Sequence, residues 1–77
     1  MTLCDLRPGQ TAEVVAIATE DEGRLMKLAA LGLAPGSYVR VQQRFPTYVV
    51  WVGETLLSLE QTVAADIWLR PPEDGGR

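Results

Sequence analysis

Two proline–glycine pairs, Pro8-Gly9 and Pro35-Gly36, restrict the fold of this chain more than any other feature. Proline presets φ for the first central position of a type II turn, and glycine accepts the positive φ that the second position requires. Alanine or valine recurs at alternate positions after each pair, which is typical of a strand. The sequence therefore predicts the same turn twice, each time at the start of a strand.

Apolar patterning predicts five short strands in all. The alternation is clearest in residues 37–45, where Val39, Val41 and Phe45 are expected on one face and Tyr38 and Arg40 on the other. The five predicted strands cover residues 12–18, 37–45, 48–52, 55–57 and 66–70.

A helix is predicted between the first two strands, over residues 19–31. Thr19 and Glu22 have the spacing of a capping box at its start. Gly32 is placed to end the helix, and Pro35 prevents its continuation. The chain therefore inserts one helix into an otherwise β-rich order of elements.

Two shorter helical segments are also expected. Thr2 and Asp5 have capping-box spacing for a single turn near the N-terminus, with Asp in place of the usual Glu. Ser58 and Gln61 have the same spacing just before the last strand. We therefore predict that Ser58 and Gln61 open a short second helix.

Five short strands in 77 residues are too few for a two-sheet sandwich, but they can close or nearly close into a barrel with few exposed edges. The predicted fold is therefore all-β with short helices: a small five-stranded SH3-like barrel with a helix inserted after the first strand. Residues 1–70 are expected to form this domain. Residues 71–77, rich in proline, glycine and charge, are predicted to be a disordered tail.

Composition argues against catalysis. The chain has no histidine and one cysteine, so no histidine is present to activate Cys4, Ser37 or Ser58, and no disulfide can form within the chain. The acidic cluster at residues 20–22 consists of consecutive helical residues, which point about 100° apart and do not converge on one ion. We therefore expect no enzyme activity, no cofactor and no metal site. Cys4 is interpreted as a half-buried apolar residue rather than a reactive thiol.

Charge and hydropathy limit the partners. Ten acidic and seven basic residues give a net charge of −3, which disfavours sequence-independent binding to nucleic acids or anionic membranes. Single-strand binding by an aromatic and basic face remains an alternative, carried by Tyr38, Arg40, Gln42 and Arg44. The N-terminus lacks a targeting segment, and the longest apolar run, residues 48–52, is far shorter than the ~20 residues of a spanning helix. A cytoplasmic location is expected.

Three motifs, in residues 3–10, 24–36 and 59–67, resemble those of the FeoA family of small proteins associated with bacterial ferrous iron transport. Residues 3–10 (LCDLRPGQ) resemble its opening Leu-x-x-Leu-x-x-Gly. Residues 24–25 (RL) and 31–36 (LGLAPG) resemble its Arg-Leu…Leu-Gly-Leu-x-Pro-Gly signature. Leu59, Ala64 and Ile67 resemble its closing Leu-x-x-x-x-Ala-x-x-Ile. In order, the motifs span residues 3–69, nearly the whole chain.

The resemblance implies an SH3-like barrel and a non-enzymatic accessory role. The implied partner is FeoB, a membrane permease with a cytosolic GTP-binding domain, so contact with the membrane would be only through that partner. The same module occurs at the C-terminus of metal-dependent repressors of the diphtheria-toxin-repressor type. The alternative function is therefore a regulatory module of such a repressor system, with weak transition-metal binding left open.

The chain departs from the family pattern in two places. FeoA-like sequences usually have a longer polar connection after the second strand, where this chain has only residues 45–47. Their second helix is often arginine-rich, whereas this chain has Glu60 and Gln61 there. Family roles of that connection and of those basic residues are therefore not carried over to this chain.

Five residues are candidates for partner binding: Leu31, Leu33, Tyr38, Trp51 and Trp68. Strand parity places Tyr38 and Trp68 outside, where they form either a docking surface or ordinary packing over the barrel rim. Parity leaves Trp51 undecided, and the core is the favoured location. Leu31 and Leu33 flank the helix–turn junction, where Gly32 and the two proline–glycine pairs are assigned to backbone geometry.

Overall fold

The computed structural model describes residues 1–71. Five strands and two helices follow a short N-terminal 3₁₀ turn, Leu3–Asp5. All five predicted strands are present, and their ends differ from the predicted ones by at most two residues. In chain order the elements are β1 Thr11–Ile17, α1 Glu22–Ala30, β2 Tyr38–Gln43, β3 Tyr48–Val52, β4 Thr55–Leu59, α2 Gln61–Ala64 and β5 Ile67–Arg70.

The strands form one antiparallel sheet in the order β4-β3-β2-β1-β5. The predicted small SH3-like fold with a helix after β1 is confirmed, but its closure is not. Strands β4 and β5 lie at opposite edges of the sheet and do not pair, so the sheet is not a closed barrel. The N-terminal segment takes the place that a closing strand would fill, since Thr2 forms a bridge with Trp68 of β5.

The core lies on one face of the sheet and includes Leu3 and Leu6 of the N-terminal segment and Leu28 of α1. Buried apolar side chains alternate with more exposed ones throughout β3 and β5, where each second residue is buried. In β1 the alternation breaks after Val14, at a shift in the β1–β5 register. All buried residues within 1–71 are hydrophobic. They are Leu3, Leu6, Ala12, Val14, Leu28, Leu33, Val39, Val41, Tyr48, Val50, Val52, Leu57, Leu59, Ala64, Ile67 and Leu69.

The start of α1 differs from the prediction. The N-cap is Asp21, whose Oδ1 accepts a hydrogen bond from the Arg24 amide at 3.1 Å. Thr19 is the wrong cap because its hydroxyl oxygen accepts from the Asp21 amide, at 3.2 Å, and so forms a turn before the helix. The helix is therefore shorter at its N-terminus than the capping-box spacing of Thr19 and Glu22 predicts.

The end of α1 is as predicted. Gly32 has a φ of 93°, and its amide donates to the Ala29 carbonyl at 2.9 Å. The Leu33 amide donates to the Leu28 carbonyl at 2.9 Å, which completes a Schellman motif. In this motif the residue after the glycine packs back on the last turn, and both Leu28 and Leu33 are buried.

Of the two short helical segments, the first has the predicted cap and the second does not. Thr2 and Asp5 form the predicted capping box, with the Thr2 amide donating to Asp5 Oδ2 at 3.0 Å. Ser58 lies within β4 instead, and Glu60 occupies the N-cap position of α2 without a side-chain hydrogen bond. The predicted Ser58–Gln61 capping box is therefore wrong, because β4 continues to Leu59.

Phe45 is also placed differently from the prediction. The alternation predicts it on the face of Val39 and Val41, but it lies beyond the end of β2 and is 87% exposed. The cause is a shift in the β2–β3 register between Val41 and Gln43, which ends the simple alternation.

The remaining predictions concern the ends of the chain and the membrane. Residues 72–77, most of the predicted disordered tail at 71–77, lie outside the described residues. The domain boundary at residue 70 stays a prediction. In the described part of the chain, no helix has the length and hydropathy needed to cross a membrane.

Candidate functional site

The face of the sheet opposite the core, called the outer face below, carries the candidate binding residues. Cross-strand pairing sets Leu56 opposite Trp51, Trp51 opposite Arg40, and Arg40 opposite Thr11. These four residues form one row across four strands. Leu56 is 46% exposed at the edge of this row. The row therefore presents apolar and cationic side chains side by side to solvent.

Trp51 belongs to this outer face, so the favoured core placement is wrong. Val50 and Val52 on either side of it are buried, which by strand parity turns the indole outward. Its Nε1 donates to Oε1 of Gln42 at 2.7 Å. Gln42 lies at the register shift of β2, and the indole is half-buried in this arrangement. The bulge thus supplies the polar partner that a surface tryptophan needs.

Tyr38 and Trp68 lie outside, as predicted. Tyr38 is 61% exposed at the start of β2, and Trp68 is 44% exposed in the middle of β5. Tyr38 pairs with Glu13, which in turn pairs with Arg70 and accepts from its Nε at 3.2 Å. The outer face therefore extends across the sheet, with an ion pair between its aromatic positions.

The two leucines at the end of α1 separate. Leu31, the C-cap, is 41% exposed, whereas Leu33 is fully buried by the Schellman motif. Leu33 therefore supports the core and is not part of an exposed surface. Gly32 between them lies against β3, since a Cβ there would be 3.5 Å from Cγ1 of Val52.

A second surface feature was not predicted from the sequence. A concavity of about 420 Å³ lies beside the β2–β3 connection and is lined by residues 44–48 and Gln61. Arg44 Nη2 donates to the Cys4 carbonyl at 2.8 Å, which holds the N-terminal turn against this connection. The signal in the sequence was the short connection itself, which places Phe45 at the surface.

Tyr48 forms the wall of this concavity and is buried. Burial raises the pKa of its phenol, and the neighbouring Cys4 side chain adds to the rise while the Arg44 guanidinium opposes it. The phenol is therefore neutral at physiological pH. The half-buried Cys4 has its Sγ 3.9 Å from the Gln61 carbonyl, which fits the interpretation of a packed thiol.

Side chains that could bind a metal do not cluster in residues 1–71. No group of three or more His, Cys, Asp or Glu side chains there is arranged to hold an ion. In the acidic cluster, Asp21 serves as the cap of α1, which matches the structural interpretation of that cluster. The hydroxyl of Ser37 donates to the Gly32 carbonyl and so stabilises the second proline–glycine turn.

These features define a small SH3-like domain whose notable surfaces are suited to binding. The family model of the FeoA domain matches residues 1–71. The chain therefore belongs to the FeoA family, whose members are accessory proteins associated with ferrous iron transport. No curated protein sequence matches the chain.

Solved structures agree with this assignment. The chain is similar to the FeoA protein of Chlorobium tepidum, with 28% identity, a TM-score of 0.83, and coverage of 90% of this chain and 68% of that one. It is similar to FeoA of Stenotrophomonas maltophilia in complex with zinc, with 25% identity, a TM-score of 0.78, and coverage of 91% and 89%. That protein is described as a prokaryotic SH3 domain protein and a candidate activating factor for ferrous iron transport.

The same fold occurs within a larger regulator. A manganese-dependent transcriptional repressor matches with 28% identity and a TM-score of 0.79, over 90% of this chain but only 40% of the repressor. The similarity is therefore to one part of that protein. The expected relation between the FeoA family and repressor-type domains is confirmed.

Proposed function

We propose that this protein is a non-enzymatic accessory protein of bacterial ferrous iron uptake that acts by binding the cytosolic part of a FeoB-type permease. Membership of the FeoA family supports the transport role. The observation that carries the binding role is the outer face, where Tyr38, Trp51 and Trp68 are all presented to solvent on a rigid sheet. In this proposal the protein is cytoplasmic and reaches the membrane only through its partner.

The mechanism is binding without chemistry. Tyrosine and tryptophan bury a large area at low conformational cost, and they are enriched among the residues that dominate binding energy. The Trp51 side chain is already held by its hydrogen bond to Gln42, and Tyr38 and Trp68 lie in strands. Little conformational entropy is therefore lost on docking. Leu31, exposed at the end of α1 rather than on the outer face, is a separate candidate contact. A bound protein then alters transport, or the GTPase cycle of the permease, without a cofactor of its own.

Co-purification with the cytosolic region of the permease tests this proposal. The tagged region is mixed with the protein in the presence and absence of guanine nucleotide, and retention is measured. We expect retention, with nucleotide state changing its extent if the protein acts on the GTPase cycle. Failure to bind in either state would overturn the proposal.

A regulatory module of a metal-dependent repressor system is the second candidate. It is supported by the structural similarity to the manganese-dependent repressor. In this case the domain would dock on an extended proline-rich segment of a separate repressor, as SH3 folds do. Retention of the repressor instead of the permease, in the same pull-down, distinguishes the two functions.

Metal binding by the isolated chain is a separate question with its own test. The described residues present no group of three ligands, so we expect Fe(II) and Mn(II) to bind more weakly than ~10 μM. Anaerobic calorimetric titration measures this. Binding tighter than ~10 μM would support a metal-dependent function.

A further inference from the structure

The two edge strands of the sheet, β5 and β4, differ in whether another part of residues 1–71 pairs with them. The edge of β5 is covered, because Thr2 bridges Trp68 and the Leu69 amide donates to the Met1 carbonyl at 2.7 Å. Strand β4 is the other edge, and within residues 1–71 no strand lies beyond it. One edge is therefore closed by the N-terminus and the other is open.

The open edge presents backbone hydrogen-bonding groups. Residues 53–54 form a two-residue turn with Gly53 at a φ of 61°, so the flanking residues Val52 and Thr55 make a hydrogen-bonded pair. Bonding then alternates along the hairpin, and the N–H and C=O groups of Leu56 and Ser58 point away from β3. Both residues are exposed. A further strand could bond to all four of these groups.

Strand β4 also lacks the usual protection of an edge. Residues 55–59 (TLLSL) include no charge and no proline. Their pairing with β3 is unbroken over five residues, whereas the β1–β5 and β2–β3 pairs both contain a register shift. Charges, prolines and bulges are the devices that stop an edge from accepting another strand. This edge therefore has the properties of an acceptor.

The charges at its two ends select the occupant. Glu54 precedes β4 and Glu60 follows it, and both are exposed. If two copies of the chain paired antiparallel about Leu57, Glu54 of each copy would lie opposite Glu60 of the other. Like charges directly opposite each other are destabilising. Self-pairing is disfavoured, and a strand with cations at its ends is favoured.

We propose that β4 accepts an extended segment of another protein, consisting of about five uncharged β-prone residues with a lysine or arginine at each end, paired antiparallel by strand addition. The two cations lie opposite Glu60 and Glu54. Alternate side chains of the segment extend the core beside Leu57 and Leu59, and the others lie beside Leu56 on the outer face. This inference does not depend on the permease, because the edge, its charges and its test concern this chain alone.

The test uses two capped heptapeptides, Lys-Val-Thr-Val-Thr-Val-Lys and the matched Glu-Val-Thr-Val-Thr-Val-Glu. Binding to the full chain is measured by calorimetry, and backbone amides are followed by NMR hydrogen exchange. We expect the lysine peptide to bind at least ~10-fold more tightly than the glutamate peptide. At saturation it should slow exchange of the Leu56 and Ser58 amides by ~10-fold or more. Added salt should weaken it.

Two kinds of variant make the test specific. Ser58→Pro removes an outward donor without removing a bond to β3, so it should abolish binding, while Ser58→Ala keeps the donor and the affinity. The double variant Glu54→Lys and Glu60→Lys should reverse the preference in favour of the glutamate peptide, and it does not depend on the folding of the proline variant.

Three results would overturn the proposal. The first is equal affinity for the two peptides in the parent and the charge-reversed chains. The second is slower exchange at other amides while the Leu56 and Ser58 amides exchange as fast as without peptide. The third is concentration-dependent protection of those amides without peptide, which would identify a second copy of the chain as the occupant. Because no permease is present in the experiment, these outcomes are separate from failure of the proposed function.

Discussion

The Gly9 amide donates to the Val41 carbonyl at 2.7 Å, and the same bond recurs with the two strands exchanged, since Gly36 donates to Val14 at 2.8 Å. Each proline–glycine turn thus bonds to the opposite strand one residue beyond the β1–β2 paired segment. At both ends of the β1–β2 pair, a proline–glycine turn donates its glycine amide to the opposite strand. Positive φ values of 90° and 98° at the two glycines make these bonds possible.

Substituting Gly9 and Gly36 tests whether these turns require the positive φ of glycine. At a positive φ a side chain is strained whatever space surrounds it, and a Cβ added at Gly9 or Gly36 would meet no atom within 4 Å beyond its chain neighbours. We expect Gly9→Ala and Gly36→Ala each to lower the free energy of unfolding by about 1–2 kcal/mol through backbone strain alone. Gly9→Asn should cost less, because asparagine tolerates this region. Denaturant unfolding measures all three, and equal loss for Ala and Asn would contradict the argument.

Local turn chemistry explains what could be predicted from the sequence. The turns at Gly9 and Gly36 and the helix end at Gly32 depend on residues close together in the chain, and all three glycines have the predicted positive φ. Strand parity, also local, placed Tyr38 and Trp68 outside. The order of elements and the placement of two of the three aromatic residues on the outer face therefore followed from short-range patterns.

The errors at Phe45, Trp51 and Ser58 involve pairing between distant residues, whereas the wrong cap at Thr19 is a local error. The register shift at Gln42 arises from the match of β2 to β3. It ends the alternation before Phe45, and Gln42 at the shift is the hydrogen-bond partner of Trp51. Ser58 has the spacing of a helix cap, but pairing with Val49 keeps it in β4. A residue pattern alone does not distinguish these outcomes, because the competing strand is elsewhere in the chain.

Leu31 and Leu33 offer a matched pair for the division between surface and core. Leu33 is fully buried, so Leu33→Ala should lower the free energy of unfolding by about 2–5 kcal/mol. Leu31 is exposed at the C-cap, and Leu31→Ala should change it by no more than about 0.5 kcal/mol. Thermal or denaturant unfolding gives both values. Similar losses for the two variants would contradict the assigned burial.

Tyr48 should make the fold sensitive to alkali. Burial raises the pKa of its phenol above the ordinary value of 10.0, so the unfolded chain releases this proton at a lower pH than the folded one. The Tyr48 contribution to stability is therefore intact below about pH 10 and is lost as the pH rises through the folded pKa. Tyr48→Phe should remove this part of the pH dependence. Unfolding measured from about pH 7 to 11 tests it, with Tyr38→Phe as the control that retains the dependence.

The outer face yields the test of how the protein recognises its partner. In the co-purification with the cytosolic region of the permease, Trp68→Ala should weaken binding by at least ~10-fold, since truncation of an aromatic anchor removes much of the contact. Tyr38→Ala should act in the same direction. Met26→Ala is the matched control, because Met26 is equally a large exposed apolar residue but lies on α1. Circular dichroism checks that each variant is folded. If permease binding is indifferent to Trp68 and Tyr38 changed together, the partner contacts another surface.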